Sequence, residues 1–107
     1  MEKITVQYLP EIEIFINNLS DVLFKKEYFS FYEYAENYVD QLTFFIEKEM
    51  INFPYKATPK ALKKFGSNYA FYKANNRTTW YIFFEKKANR YLITYLTNNH
   101  IKDLNEL

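Results

Sequence analysis

Cysteine is absent from the 107 residues, which excludes disulfides, a thiol nucleophile and thiolate metal ligands. A single histidine leaves a conventional zinc site without its ligands. One glycine cannot build a phosphate-binding glycine loop or a dinucleotide fingerprint, and neither H-E-x-x-H nor G-x-S-x-G occurs. With three prolines and that one glycine, no stretch has the composition of a flexible linker. The start, MEKITVQYLPEIEIF, carries acids where a signal peptide would carry an apolar run, and no run approaches the length of a membrane span. The expectation is a cytoplasmic protein with no metal, no cofactor and no membrane partner, folded as one domain over residues 1–107.

Aromatic residues, in contrast, are plentiful. Eleven Tyr, eleven Phe and one Trp make up 21% of the chain, enough rings for a core with some left over for an interaction surface. Charge is divided unevenly. Residues 1–55 hold four lysines against ten acids, a balance of −6, while residues 56–107 hold ten Lys and Arg against three acids, a balance of +7. Between Lys56 and Lys102 the only acid is Glu85. Two explanations fit: the halves pair with each other inside the fold, or the basic half holds an anionic partner such as a nucleic-acid backbone or an acidic peptide.

The segment Asn68–His100 organises the chain. It reads as three short strands, Tyr69–Lys73, Thr78–Glu85 and Arg90–Thr97, joined by polar Asn-containing turns that tolerate left-handed backbone. In the middle strand Trp80, Ile82 and Phe84 point one way and Thr79, Tyr81, Phe83 and Glu85 the other, because side chains alternate across a strand. Upstream, Lys3–Leu9 alternates as a first strand that Pro10 closes. From Glu11, the residues Ile12, Phe15, Ile16 and Leu19 recur at helical spacing, and Asn17-Asn18 and Ser20-Asp21 leave one helix or two open. A second helix is predicted after Ser30, where Ser30 and Glu33 have capping-box spacing. Its apolar stripe runs through Ala35, Tyr38, Val39, Leu42, Phe45, Ile46 and Met50, and Pro54 ends it. Glu47 and Glu49, with Lys48 between them, read as a solvated face.

The connector Tyr55–Gly66 is basic, with a short strand expected around Ala61–Phe65. The one glycine, Gly66, is expected at a position of positive φ. Ile101, Leu104 and Leu107 would allow a final helical turn. The order β-α-α-β-β-β predicts an α+β domain in which two helices pack on one face of a mainly antiparallel sheet. Trp80, Ile82 and Phe84 are then expected beneath Ile12, Phe15, Tyr38, Leu42 and Ile46.

In this order the chain resembles the RelE/ParE superfamily of small bacterial toxins from type II toxin–antitoxin modules. The likeness spans nearly the whole chain. A first strand ends in proline, QYLPEIE, and a helical hairpin follows. After it come a basic Pro-containing connector, FPYKATPKALKKF, a strand ending in a basic residue, YAFYK, and the aromatic strand pair WYIFFEKKANRYLITYL. Tyr81 stands where that family commonly has arginine. Asn98, Asn99 and His100 stand where its ribonuclease members place basic, His or Tyr residues.

The resemblance implies a toxin that inhibits translation by metal-independent cleavage of mRNA on the ribosome, held in check by a cognate antitoxin. Under it, Lys73 and Arg77 would clamp phosphate, with Lys63, Lys64 and Arg90 as further nucleic-acid contacts. Tyr81 would stack or hydrogen-bond, and His100 would transfer a proton, histidine being the side chain with an unperturbed pKa near neutrality. Two alternatives stay open: a ParE-like inhibitor of DNA gyrase that catalyses nothing, and a degenerate member that only binds an antitoxin. For each residue taken singly an ordinary role also fits, such as turn charges for Lys73 and Arg77, or a cross-strand ring pair for Tyr81 with Tyr95 or Tyr72.

Overall fold

A computed structural model describes residues 3–100; the helical turn expected over Ile101–Leu107 lies outside them. The fold is α+β, with helices packed against a five-stranded mixed sheet. Its strands are β1 (Thr5–Tyr8), β2 (Lys56–Ala57), β3 (Asn68–Lys73), β4 (Thr79–Lys87) and β5 (Arg90–Asn98). They lie in the order β1-β5-β4-β3-β2, and only the β1–β5 pairing is parallel. The first strand is therefore an edge strand, beside the last.

Pro10 opens α1 (Pro10–Lys25), with Glu11 and Glu13 in its first turn, where acids suit the helix dipole and proline has no N–H to leave unpaired. It is one helix. Asn17 and Asn18 lie on its exposed side, so their low propensity works against no packing. Glu27, at φ 63°, turns the chain out of the helix in left-handed backbone.

The second helix, α2 (Tyr32–Phe44), starts without the predicted capping box. Its N-cap is Phe31, in extended backbone, and no side chain caps it. Ring packing sets this start instead: Phe24 meets Tyr32 at 5.6 Å and Phe31 meets Tyr34 at 5.4 Å, both edge to face. Aromatic pairs of this kind are worth about as much as a serine cap. The helix continues through one wider turn, Phe45–Glu49, and a 3-10 turn, Met50–Asn52, and Phe45, Ile46 and Met50 stay buried.

Both helices cover one face of the sheet, with Ile12, Leu19, Val39, Leu42 and Ile46 packed on Ala70, Trp80, Ile82, Phe84, Ile93 and Leu96. The expected alternation in β4 holds for these residues. Phe15 departs from it in part: it is 40% exposed, touching Trp80 edge-on at 6.4 Å. Tyr38 sits at the border of the core and accepts a hydrogen bond from the Trp80 indole N–H at 2.8 Å.

The connector corrects two expectations. Lys60–Phe65 is a 3-10 helix and not a strand; the strand lies earlier, at Lys56–Ala57. This third helix packs on the other face of the sheet, through Leu62 on Tyr69 and Phe83 and Phe65 stacked on Tyr95 at 4.3 Å. Helices therefore lie on both faces. Gly66 has φ 161°, which is extended backbone, so its role is not a left-handed turn. A Cβ there would lie 2.6 Å from Thr94 Oγ1, 3.0 Å from Phe84 N and 3.1 Å from Phe83 Cβ. Closeness to the sheet is what requires glycine here.

The sheet at that point is bulged. Phe83 pairs with Tyr95 but Phe84 with Ile93, so Thr94 is an extra residue, and its hydroxyl donates to the Phe65 carbonyl at 2.5 Å. The inward residues of β5 change from Tyr91 and Ile93 to Leu96 across it. Asparagine does not supply left-handed backbone in the turns, since among the described residues the positive-φ positions are Glu27 and Ala88. The Thr58 hydroxyl is buried without a hydrogen-bond partner among the described residues, an unfavourable feature that its surroundings do not explain.

Candidate functional site

The short 3-10 helix covers only part of the second sheet face. It lies over Tyr69, Phe83 and Tyr95, and the face continues past it through the cross-strand neighbours Phe71, Tyr81 and Thr97 to the pair Lys73 and Thr79. Phe71 is 37% exposed, Tyr81 half-buried and Thr97 buried, so the open part of the strip lies on the β3 and β4 side. Tyr81 approaches Tyr69 at 6.3 Å and is registered with Phe71; its pairing with Tyr72 or Tyr95 does not form, because Tyr72 belongs to the helix-side cluster and Tyr95 stacks on Phe65.

At this end of the sheet stand three of the residues singled out by sequence. Lys73 closes β3, Arg77 sits in the loop that follows, and His100 comes just after β5. The His100 Nε2 lies 3.2 Å from Thr78 Oγ1 in the same loop. Two asparagines hold the arrangement. Asn75 Oδ1 accepts the N–H groups of Arg77 and Thr78, each at 2.9 Å. Asn99 accepts the Thr79 N–H at 3.0 Å and donates its side-chain amide to the Arg77 carbonyl at 3.1 Å. The His100 N–H donates to Asn98 Oδ1 at 3.0 Å.

Tyr81 lies on the same face as Thr79, two residues further along β4, roughly 7 Å at strand rise. Lys63 and Lys64 stand on the 3-10 helix, with the Lys64 ammonium 5.2 Å from the Phe65 ring centre. Both are exposed. Arg90 is not brought into this group: it starts β5 beside Lys87, eight strand residues from Asn98 and so roughly 26 Å away along the strand.

Among the described residues no ion pair links a carboxylate to a lysine or arginine. The acid of the sheet half, Glu85, accepts the Ser67 backbone N–H at 3.0 Å. Among the described residues, ion pairs between the two halves therefore do not account for the charge split. The strip offers ring faces flanked by cations, the combination that single-stranded nucleic acid requires: bases stack on rings and phosphates meet Lys and Arg.

Three features escaped the sequence reading. Phe71 belongs to the strip through its register with Tyr81, which only the pairing of β3 with β4 reveals. Asn75 and Asn99 act through their side chains, a role that their position in turns does not distinguish from ordinary loop polarity. The third is the run KKEYFSFYEY between the helices, which leaves Tyr28 67%, Phe31 57% and Tyr34 51% exposed. Beside it an open depression of about 590 Å³ is lined by Phe24, Lys25, Glu27, Tyr28, Phe29 and Ser30. Its rings are visible in the sequence, but their exposure depends on the helices meeting elsewhere.

Among the described residues, no three His, Cys, Asp or Glu side chains cluster as metal ligands would, and no helix is long and apolar enough to cross a membrane. Comparison of the chain with protein-family models, with curated proteins and with solved structures finds no match.

Proposed function

We propose that this chain is a toxin of the RelE/ParE type that engages single-stranded RNA on the open part of its second sheet face and cleaves mRNA on the ribosome. The observation that carries the reading is that Lys73, Arg77 and His100 all stand at one end of the sheet, where Lys73 shares a face with Phe71 and Tyr81. In the proposed reaction the ribose 2′-hydroxyl attacks the adjacent phosphate and the 5′-oxygen of the next nucleotide leaves. His100 serves as proton acceptor or donor, Tyr81 stacks on a base or hydrogen-bonds, and Lys73 and Arg77 stabilise the added phosphate charge. A cognate antitoxin would lay an acidic, amphipathic segment over the same basic half, with complementary charge steering its approach.

One observation favours a second reading. The cleavage needs an acceptor and a donor, and among the described residues this end of the sheet holds one histidine, His100. ParE-like inhibition of DNA gyrase, or antitoxin binding without catalysis, needs neither. Expression in cells, scored for mRNA cleavage against DNA supercoiling defects, separates the readings. Cleavage that falls by about 10²–10⁴ in His100→Ala supports the ribonuclease, since that is the usual contribution of a positioned acid–base group. Supercoiling defects with intact mRNA, unchanged in His100→Ala, overturn it in favour of gyrase.

A further inference from the structure

We propose that Asn99 is the positioning residue of this site: it fixes the backbone of Arg77 so that the guanidinium meets a phosphate without first ordering its loop. The inference rests on the nucleic-acid reading above. Arg77 lies in the loop Ala74-Asn75-Asn76-Arg77-Thr78, and its side chain is exposed, with no apolar packing to hold it. Its backbone is nonetheless gripped on both sides. The N–H is bonded by Asn75 Oδ1 at 2.9 Å and the carbonyl by Asn99 Nδ2 at 3.1 Å.

Asn99 reaches this loop from 22 residues away in sequence. It is locked to β4 by a two-way exchange: its own N–H donates to the Thr79 carbonyl at 3.1 Å, and its Oδ1 accepts the Thr79 N–H at 3.0 Å. Accepting through one side-chain atom and donating through another, at this short reach, suits an asparagine amide. Aspartate lacks the donor, and glutamine is longer by one methylene. The residues on either side of Asn99 extend the same clasp, through Asn98 Oδ1 to the His100 N–H and the His100 ring to Thr78. Holding a binding side chain's backbone in advance lowers the ordering cost at the moment of binding. A clasp that served the hairpin alone would leave the affinity for nucleic acid unchanged.

That difference is measurable as a double-mutant cycle on the affinity of the full chain for a fluorescein-labelled single-stranded RNA oligonucleotide, followed across a salt series. Arg77→Ala should weaken binding and reduce the slope of log affinity against log salt by about 0.7, the value of one phosphate contact to a single strand. Asn99→Ala and, independently, Asn75→Ala should each weaken binding in the wild-type background. In the Arg77→Ala background both should have no further effect, because their influence passes through that side chain. Additive losses in the double variants, or a wild-type affinity and slope in Asn99→Ala, would overturn the inference. Thermal unfolding followed by Trp80 fluorescence identifies a variant that has merely lost its fold, and Asn75→Ala then provides the second cycle. If wild-type protein does not bind the oligonucleotide, the nucleic-acid reading falls and the inference with it. If Lys73→Ala and Arg77→Ala weaken binding while both asparagine variants leave it intact, only the inference falls.

Discussion

The Trp80 indole donates its N–H to the Tyr38 hydroxyl at 2.8 Å, joining α2 to the central strand across 42 residues of sequence. Trp80 is 3% exposed, so water cannot replace Tyr38 as its partner. Tyr38→Phe should therefore destabilise the fold by about 1–3 kcal/mol, the cost of leaving a buried donor unsatisfied. As the sole tryptophan, Trp80 itself reports the unfolding, and the expected result is a lower denaturation midpoint with an unchanged slope.

Along α2 the burial changes within two residues. Leu42 is fully buried, whereas Phe44 is 58% exposed. Leu42→Ala should cost roughly 2–5 kcal/mol, and Phe44→Ala should stay within about 0.5 kcal/mol of wild type. Chemical denaturation of the pair checks the direction in which α2 faces.

Gly66 tests the bulge. The first atom a methyl group would meet is the Thr94 hydroxyl, which is already committed to the Phe65 carbonyl, and the next is backbone, the Phe84 nitrogen. Gly66→Ala should destabilise by about 1–3 kcal/mol, as overpacking does. Calorimetric unfolding of Gly66→Ala beside Gly66→Ala/Thr94→Ser checks it; serine keeps the oxygen, so the double variant should recover little.

Alkaline pH should also weaken the fold. Burial, followed by a hydrogen bond to Glu47 and the nearby charges of Glu47 and Glu13, pushes the Tyr8 phenol well above its ordinary value. Burial likewise raises Tyr38, against the opposing effect of the Trp80 hydrogen bond. Both phenols hold their protons more tightly folded than unfolded. Their contribution is therefore complete below the unfolded value of about 10 and is lost as pH rises beyond it. Denaturation midpoints measured on either side of that value should fall toward the alkaline end, less steeply in Tyr8→Phe.

These residues also show which parts of the molecule were legible in sequence. The inward set of β4 and the stripe of α2 were readable because periods of 2 and 3.6 survive in residue order. The Ser30 capping box was not realised; Phe24 of α1 instead pairs with Tyr32 across the helix junction, a tertiary contact that local spacing does not record. The bulge at Thr94 and the close approach at Gly66 define each other, and neither leaves a mark in its own segment. The 3-10 helix over Lys60–Phe65 has one inward leucine, Leu62, too little periodicity to separate it from a strand. At the candidate site, Lys73, Arg77 and His100 could be named from their chemistry and from the family likeness. Their partners Asn75 and Asn99 became visible only when the β3–β4 loop and the end of β5 met.

On the proposed reading, the open part of the second sheet face receives single-stranded RNA. Amide chemical-shift mapping on titration with a single-stranded RNA oligonucleotide tests it most directly. Shifts are expected at Phe71, Lys73, Arg77, Tyr81, Thr97 and His100, graded with RNA and suppressed by salt, while Tyr28, Phe31 and Tyr34 at the helix junction stay unmoved. Shifts confined to that junction, or an unchanged spectrum at low salt, would contradict it.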